Sequence, residues 1–308
     1  MDYLIKTSGL TKRYETQSVV KNVDIHVRPG TIYGLLGRNG AGKTTIMKMM
    51  LGLTKITEGN ITIFGKTLCE GNKKKIYPRI GSLIEAPGFY PNLTGTENLK
   101  IFSMLRGTVG RDAVKKALEI VGLPYKDKKL YSSYSLGMKQ RLGIANAIMH
   151  DPEVLILDEP INGLDPIGIS EIRTFLEKLC KDKGKTIIIS SHILSEIDLM
   201  ADDVGIINNG YLIEESSMHK LREKNQKYIL FRVSDSSRAA MLIEQKFGIQ
   251  QYKVVDDAVL KVYQTDVAQT NLINKFLMEN EIDVFETHIC NDSLEDYFKK
   301  ITGGEGIA

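Results

Sequence analysis

Gly37-Arg-Asn-Gly-Ala-Gly-Lys-Thr44 is a G-x-x-x-x-G-K-T stretch, and its residue types suit one task. The glycines let successive backbone N–H groups turn toward a polyphosphate, Lys43 can reach the β and γ oxygens, and the Thr44 hydroxyl is placed to ligate Mg2+. The stretch follows the apolar run Thr31-Ile-Tyr-Gly-Leu-Leu36 and precedes Lys43-Thr-Thr-Ile-Met-Lys-Met-Met-Leu51, so the order is strand, loop, helix. Phosphate is thereby delivered to a helix N-terminus, where unpaired N–H groups and the helix dipole favour negative charge. The expected nucleotide-binding set is Gly37, Arg38, Asn39, Gly40, Ala41, Gly42, Lys43, Thr44 and Thr45.

Upstream and downstream of this loop, short β-like runs at Leu4–Lys6, Val23–Val27 and Asn60–Phe64 suggest an antiparallel flank. Between about Thr94 and Met149 the pattern turns helical, with Thr96–Leu105, Asp112–Val121 and Gly137–Met149 as the expected helices, the second ended by Leu123-Pro124. Val154-Leu-Ile-Leu157 and Thr186-Ile-Ile-Ile189 read as strands buried on both faces of a parallel sheet. Ile169, Ile172, Leu176 and Leu179 between them mark an amphipathic crossover helix. Val204–Ile207 and Tyr211–Glu214 flank Asn208-Asn-Gly210, a hairpin signal. Beyond residue 222 the order changes to βαββαβ, from Lys227–Val233 to Asp283–Ile289, with a last helix at Ser293–Ile301 and a loose tail at Gly303–Ala308. The expected domains are 1–222 and 223–308.

The 308 residues are long for one compact domain, and 42% hydrophobic residues suffice for two cores. With 41 basic and 38 acidic residues there is no nucleic-acid footprint, and Lys73-Lys-Lys75 reads as solvated loop surface. Cys69, Cys180 and Cys290 lie far apart and read as reduced thiols. No signal peptide or membrane span is expected, so membrane work would need another chain.

Val154-Leu-Ile-Leu-Asp-Glu-Pro160 sets two carboxylates at a strand end, where Asp158 would serve the metal and Glu159 would orient or deprotonate a water. Tyr134-Ser-Leu-Gly-Met-Lys-Gln-Arg141 resembles the Leu-Ser-Gly-Gly-Gln signature of ABC transporter ATPases. Gly163-Leu-Asp-Pro166 resembles their D-loop and Ser190-Ser-His192 their switch histidine. What this resemblance implies is a P-loop α/β core with an antiparallel β flank and a helical subdomain, followed here by a small α+β domain. It further implies that Tyr14 stacks on adenine, that Glu159 and His192 are catalytic, that Asp165 is the D-loop acid, and that Ser135, Leu136 and Gly137 close over ATP held by a second subunit. One copy of each motif per chain implies a homodimer or pairing with a similar ATPase.

Two departures stand out. Leu136 replaces a signature glycine and Met138 a glutamine. In Ile80-Gly-Ser-Leu-Ile-Glu-Ala-Pro-Gly-Phe-Tyr90, Glu85 stands where most of the family has the Q-loop glutamine, adding a negative charge, and a candidate metal ligand, beside Mg2+. That glutamate, the following Pro-Gly-Phe-Tyr-Pro-Asn-Leu-Thr and the tail Ser293-Leu-Glu-Asp-Tyr-Phe298 are similar to ATPase subunits of bacitracin-resistance and lantibiotic-immunity exporters. The resemblance implies ATP and Mg2+ as cofactors, an integral-membrane permease as partner, no nucleic acid, and a place on the cytoplasmic face of the cell membrane. Export of another small molecule or a lipid is the alternative. A soluble ABC ATPase of ribosomes or DNA ends fits less well, because one ATPase unit is present and the 92 residues from Lys43 to Ser135 hold no heptad run.

Overall fold

The computed structural model describes residues 3–85, 88–107, 110, 112–224, 227–263, 269–291 and 294–301, and the tail Gly303–Ala308 lies outside them. The chain divides between Met218 and His219 into two compact units.

The first unit begins with β1 (Ile5–Tyr14), β2 (Gln17–Val23), β3 (His26–Val27) and β4 (Ile32–Leu36), followed by α1 (Lys43–Met50). Then come β5 (Glu58–Ile63), β6 (Lys66–Thr67), α2 (Glu70–Ile76) and β7 (Ile80–Leu83). A helical stretch holds α3 (Gly95–Arg106), α4 (Ala113–Ile120) and α5 (Leu136–Ile148). It leads to β8 (Val154–Asp158), α6 (Pro166–Lys183), β9 (Thr186–Ser191), α7 (Leu194–Met200), β10 (Asp203–Asn208) and β11 (Tyr211–Ser217). The helix α8 (Met218–Lys224) spans the division between the units.

The central sheet has the order β11-β10-β4-β9-β8-β7, with every neighbouring pair parallel except the edge hairpin β10–β11. Every residue of β4, β8 and β9 is buried, as continuous apolar strands covered on both faces require. The hairpin turns on Asn209 and Gly210 with φ of 49° and 84°, the positive pair that a two-residue turn between twisted strands demands. A flanking antiparallel sheet runs β2-β1-β5-β6, with β3 also on β1. Between the two sheets α1 buries Ile46, Met47, Met49 and Met50 against Ile5, Leu10, Val20, Ile61, Ile156 and Ile188. The helices α3, α4 and α5 pack on one another, and α5 also lies on β7.

Several sequence expectations are corrected. The strand expected over Val23–Val27 is two strands, because side chains take over the ladder bonds between them. The Thr7 hydroxyl donates to the Val23 carbonyl and accepts from Ile25 N–H, and Gly9 N–H donates to Asp24 Oδ1. The first strand is longer than expected, running through the polar stretch to Tyr14 because it pairs with β5 at one end and β2 at the other. Lys73-Lys-Lys75 lies on α2, and Lys73 pairs with Glu70 one turn away. The third helix begins at Gly95 because Thr94 and Glu97 form a capping box. The fourth ends at Ile120, before Leu123-Pro124, where Gly122 takes φ 68°.

The second unit contains β12 (Lys227–Val233), α9 (Ser236–Phe247), β13 (Tyr252–Asp256), β14 (Val259–Tyr263), α10 (Thr270–Glu279), β15 (Val284–Asn291) and α11 (Leu294–Ile301). Its sheet is antiparallel in the order β13-β14-β12-β15, a split βαβ arrangement. Phe231, Leu260 and Val262 face Ala239, Ile243, Ile273 and Leu277 in a core of their own. Among the described residues no helix is long and apolar enough to cross a membrane.

Close packing of α5 on β7 yields a stability test. A Cβ at Gly81 would stand 2.0 Å from the Ala147 carbonyl oxygen and 2.8 Å from Leu155. Gly81→Ala should therefore cost about 1–3 kcal/mol, with the thermal unfolding midpoint of the intact chain falling by about 2–4 °C per kcal/mol.

Candidate active site

The phosphate loop joins the end of β4 to α1. Gly37 fits because a Cβ there would lie 2.4 Å from the Ile207 carbonyl oxygen. The N-cap of α1 is Gly42, at φ 111°, and no side chain caps the helix, so its first N–H groups remain available to an anion. Arg38 is partly buried, Asn39 and Gly40 are exposed, Ala41 is buried, and Thr45 is partly buried.

Around this helix start the sheet delivers four groups. Lys43 is only 5% exposed; its ammonium donates to the Gly37 and Arg38 carbonyls at 2.5 and 3.1 Å and lies 3.2 Å from Glu159 Oε1. Glu159 Oε1 is buried and, apart from this ion pair, accepts no hydrogen bond among the described residues. The other oxygen of Glu159 is 2.8 Å from His192 Nδ1, a contact that places the proton on Nδ1. Asp158 is 8% exposed; Thr44 Oγ1 donates to its Oδ2 at 2.8 Å and Ser190 Oγ donates to its Oδ1 at 2.6 Å. The same Ser190 oxygen accepts Glu159 N–H at 2.9 Å. Glu159 has φ 47°, the left-handed region where a non-glycine residue is strained, and that bond helps hold it there.

Lys43, Thr44, Asp158, Glu159 and His192 are thus brought into one cluster. Glu85 is not joined to it directly: it is 65% exposed and its carboxylate is paired with Lys48 Nζ at 2.6 Å. The Glu85 carboxylate raises the Lys48 pKa above its ordinary value through that hydrogen bond. Tyr14 is 47% exposed, with Lys12 Nζ 4.5 Å from its ring centre. Ser135 caps α5, accepting Met138 N–H at 3.3 Å, and Asp165 caps α6, accepting Gly168 N–H at 3.0 Å. Leu136 is half exposed and packs on Gly163: a Cβ there would be 2.6 Å from its Cδ2. Gly137 faces Leu164 in the same way at 3.5 Å. No hydrogen bond or ion pair joins Ser135, Leu136, Gly137 or Asp165 to the Lys43 cluster among the described residues.

Sequence reasoning missed Ser190 and Lys48 as site residues. Ser190 sits opposite Asp158 in the β8–β9 register, which only the assembled sheet reveals. Lys48 had a signal: it is four residues after Thr44 on α1, hence on the same helix face.

The ABC transporter family model matches residues 20–162. The bacitracin transport ATP-binding protein BcrA of Enterococcus faecalis is 52% identical over 309 residues, covering 100% of this chain and 99% of that protein. The chain belongs to the ABC transporter ATPases. A lantibiotic transport ATP-binding protein, SrtF of Streptococcus pyogenes, is 42% identical across 74% of this chain and 98% of its own length. Among solved structures, cbiO1 of Clostridium perfringens, part of the transporter complex cbiONQ, matches with TM-score 0.65 at 25% identity, over 80% of this chain and 97% of that one. The dimeric ATP-binding cassette MJ0796 bound to ADP and Pi matches in fold with TM-score 0.63 at 24% identity, over 70% and 98%. An ATP-hydrolysing P-loop cassette is therefore the setting in which the cluster works.

Ser190 should prove as necessary as the motif residues. Ser190→Ala leaves the partly buried Glu159 N–H without this partner, at about 1–3 kcal/mol of stability, and releases one side of Asp158. The expected result is a lower denaturant midpoint together with at least a tenfold, order-of-magnitude fall in ATP turnover, about 1.4 kcal/mol of barrier.

Proposed function

We propose that this chain is the ATP-hydrolysing subunit of an exporter that confers protection against peptide antibiotics of the bacitracin or lantibiotic type, working through a separate membrane permease. The observation that carries the substrate class is 52% identity, over the whole chain, to bacitracin transport ATP-binding proteins of two organisms. The lantibiotic relative supports the same class.

Within the site, Lys43 would exchange its carbonyl partners for β and γ phosphate oxygens. Gly37 to Thr45 would wrap the phosphates, and Tyr14 would stack on the adenine. The residues present fit a divalent cation: Asp158 is buried and, among the described residues, takes its hydrogen bonds from the Thr44 and Ser190 hydroxyls rather than from a cationic group. No group of three or more His, Cys, Asp or Glu able to hold a metal occurs among the described residues, so Mg2+ there would draw most ligands from water and phosphate. Bound Mg2+ would neutralise charge on the phosphates. Glu159 Oε1, buried, facing Lys43 Nζ at 3.2 Å and accepting no hydrogen bond among the described residues, is suited, once Lys43 turns to the phosphates, to take a hydrogen bond and then a proton from the attacking water, while His192 holds the other oxygen and fixes the carboxylate.

Ser135, Leu136, Gly137 and Asp165 are assigned to ATP bound by a second copy or a similar subunit. Residues 1–222 form the nucleotide-binding domain in this reading and 223–308 an accessory domain. With no membrane helix among the described residues, attachment to the cytoplasmic face of the membrane falls to the permease.

Glu159→Gln should bind ATP yet hydrolyse it about 10²–10⁴-fold more slowly, the usual span of a general base, and accumulate as an ATP-bound dimer in size-exclusion chromatography. Lys43→Ala should weaken nucleotide binding itself. Near-normal turnover in Glu159→Gln would refute the base. For the substrate, the chain expressed with its permease should raise resistance to bacitracin or a lantibiotic, and Glu159→Gln should abolish the gain. Unchanged susceptibility across such a panel would sink the antibiotic reading.

A further inference from the structure

Three acids gather at one end of two neighbouring parallel strands. Leu83 of β7 stands opposite Leu157 of β8, so Glu85 and Glu159 each lie two residues beyond that pair and Asp158 one residue beyond it. The strands themselves run about 4.8 Å apart. Two lysines of α1 answer two of the acids: Lys43 Nζ is 3.2 Å from Glu159 Oε1 and Lys48 Nζ is 2.6 Å from Glu85 Oε1. Asp158 has hydroxyl partners instead.

Glu85 departs most from the family pattern, and its geometry is specific. Its backbone sits at φ 59°, strained for a residue with a side chain. Packing does not hold its carboxylate, which is 65% exposed; Lys48 does. Lys48 is one helical turn beyond Thr44 on the same face of α1, and its ammonium is the cation that holds the Glu85 carboxylate beside that face.

We propose that Lys48 is a positioning residue that holds the Glu85 carboxylate away from the Thr44–Asp158 pair, so that the metal site keeps one carboxylate instead of two. The inference rests on reading Thr44 and Asp158 as the metal site. A second carboxylate in reach would tighten divalent-cation binding, since affinity for hard cations rises with ligand charge. Glutamine at the same place carries no such charge and needs no restraint. An ion pair this exposed shifts an equilibrium by at most about fivefold, which sets the size of the effect.

The test is a Mn2+ titration of the full-length chain carrying one equivalent of a bound non-hydrolysable ATP analogue, with free Mn2+ read by electron paramagnetic resonance. Lys48→Met should lower the Mn2+ midpoint by about three- to fivefold. The double variant Lys48→Met with Glu85→Gln should return to within about twofold of the parent, as should Glu85→Gln alone and Lys48→Arg, which keeps the charge. An unchanged midpoint in Lys48→Met, or a shift that persists in the double variant, overturns the restraint. Asp158→Asn separates this from failure of the site: Mn2+ binding indifferent to that change overturns the metal site and the restraint together. Thermal unfolding of each variant confirms that folded protein is being titrated.

Discussion

Asp158 is buried at the end of strand β8 of the six-stranded sheet and accepts hydrogen bonds from two hydroxyls, Thr44 on α1 and Ser190 on β9. Burying a carboxylate without a cation costs free energy unless donors surround it. Here the donors come from the helix that follows the phosphate loop and from the strand next door. That one requirement ties three elements of the sheet-and-helix core to a common point. It sets the level at which α1 meets the sheet, and through Ser190 it reaches the next residue, because the same hydroxyl takes Glu159 N–H. Glu159, His192 and Lys43 thus depend on an arrangement that begins with a single acid.

Much of this was legible in the sequence, because the decisive signals are local. The phosphate loop, the Asp158-Glu159 strand end, the buried runs of β8 and β9 and the Asn209-Gly210 turn each state their geometry within a few residues. Less legible was whatever depends on register or on side chains standing in for backbone. Ser190 acquires its role by lying opposite Asp158 across two strands separated by a long crossover. The break between β2 and β3 depends on Thr7 and Gly9, which lie far upstream in the chain. Glu85 was conspicuous as a departure, whereas its partner Lys48 carried only the positional signal of lying four residues after Thr44 on α1.

The second unit has a buried core of its own, built from the split βαβ pattern. SrtF matches 74% of this chain but 98% of its own length, so that relative carries no counterpart of a unit this size, whereas BcrA matches throughout. The cassette chemistry belongs to the first unit.

Glu159, the base proposed above, has a left-handed backbone, and the combination bears on what could replace it. Asparagine or glycine at that place would relax the main chain while removing the carboxylate. The same change would strip His192 and the buried Lys43 of the carboxylate that faces them, so the groups around Glu159 hold its main chain in a conformation it would not choose alone.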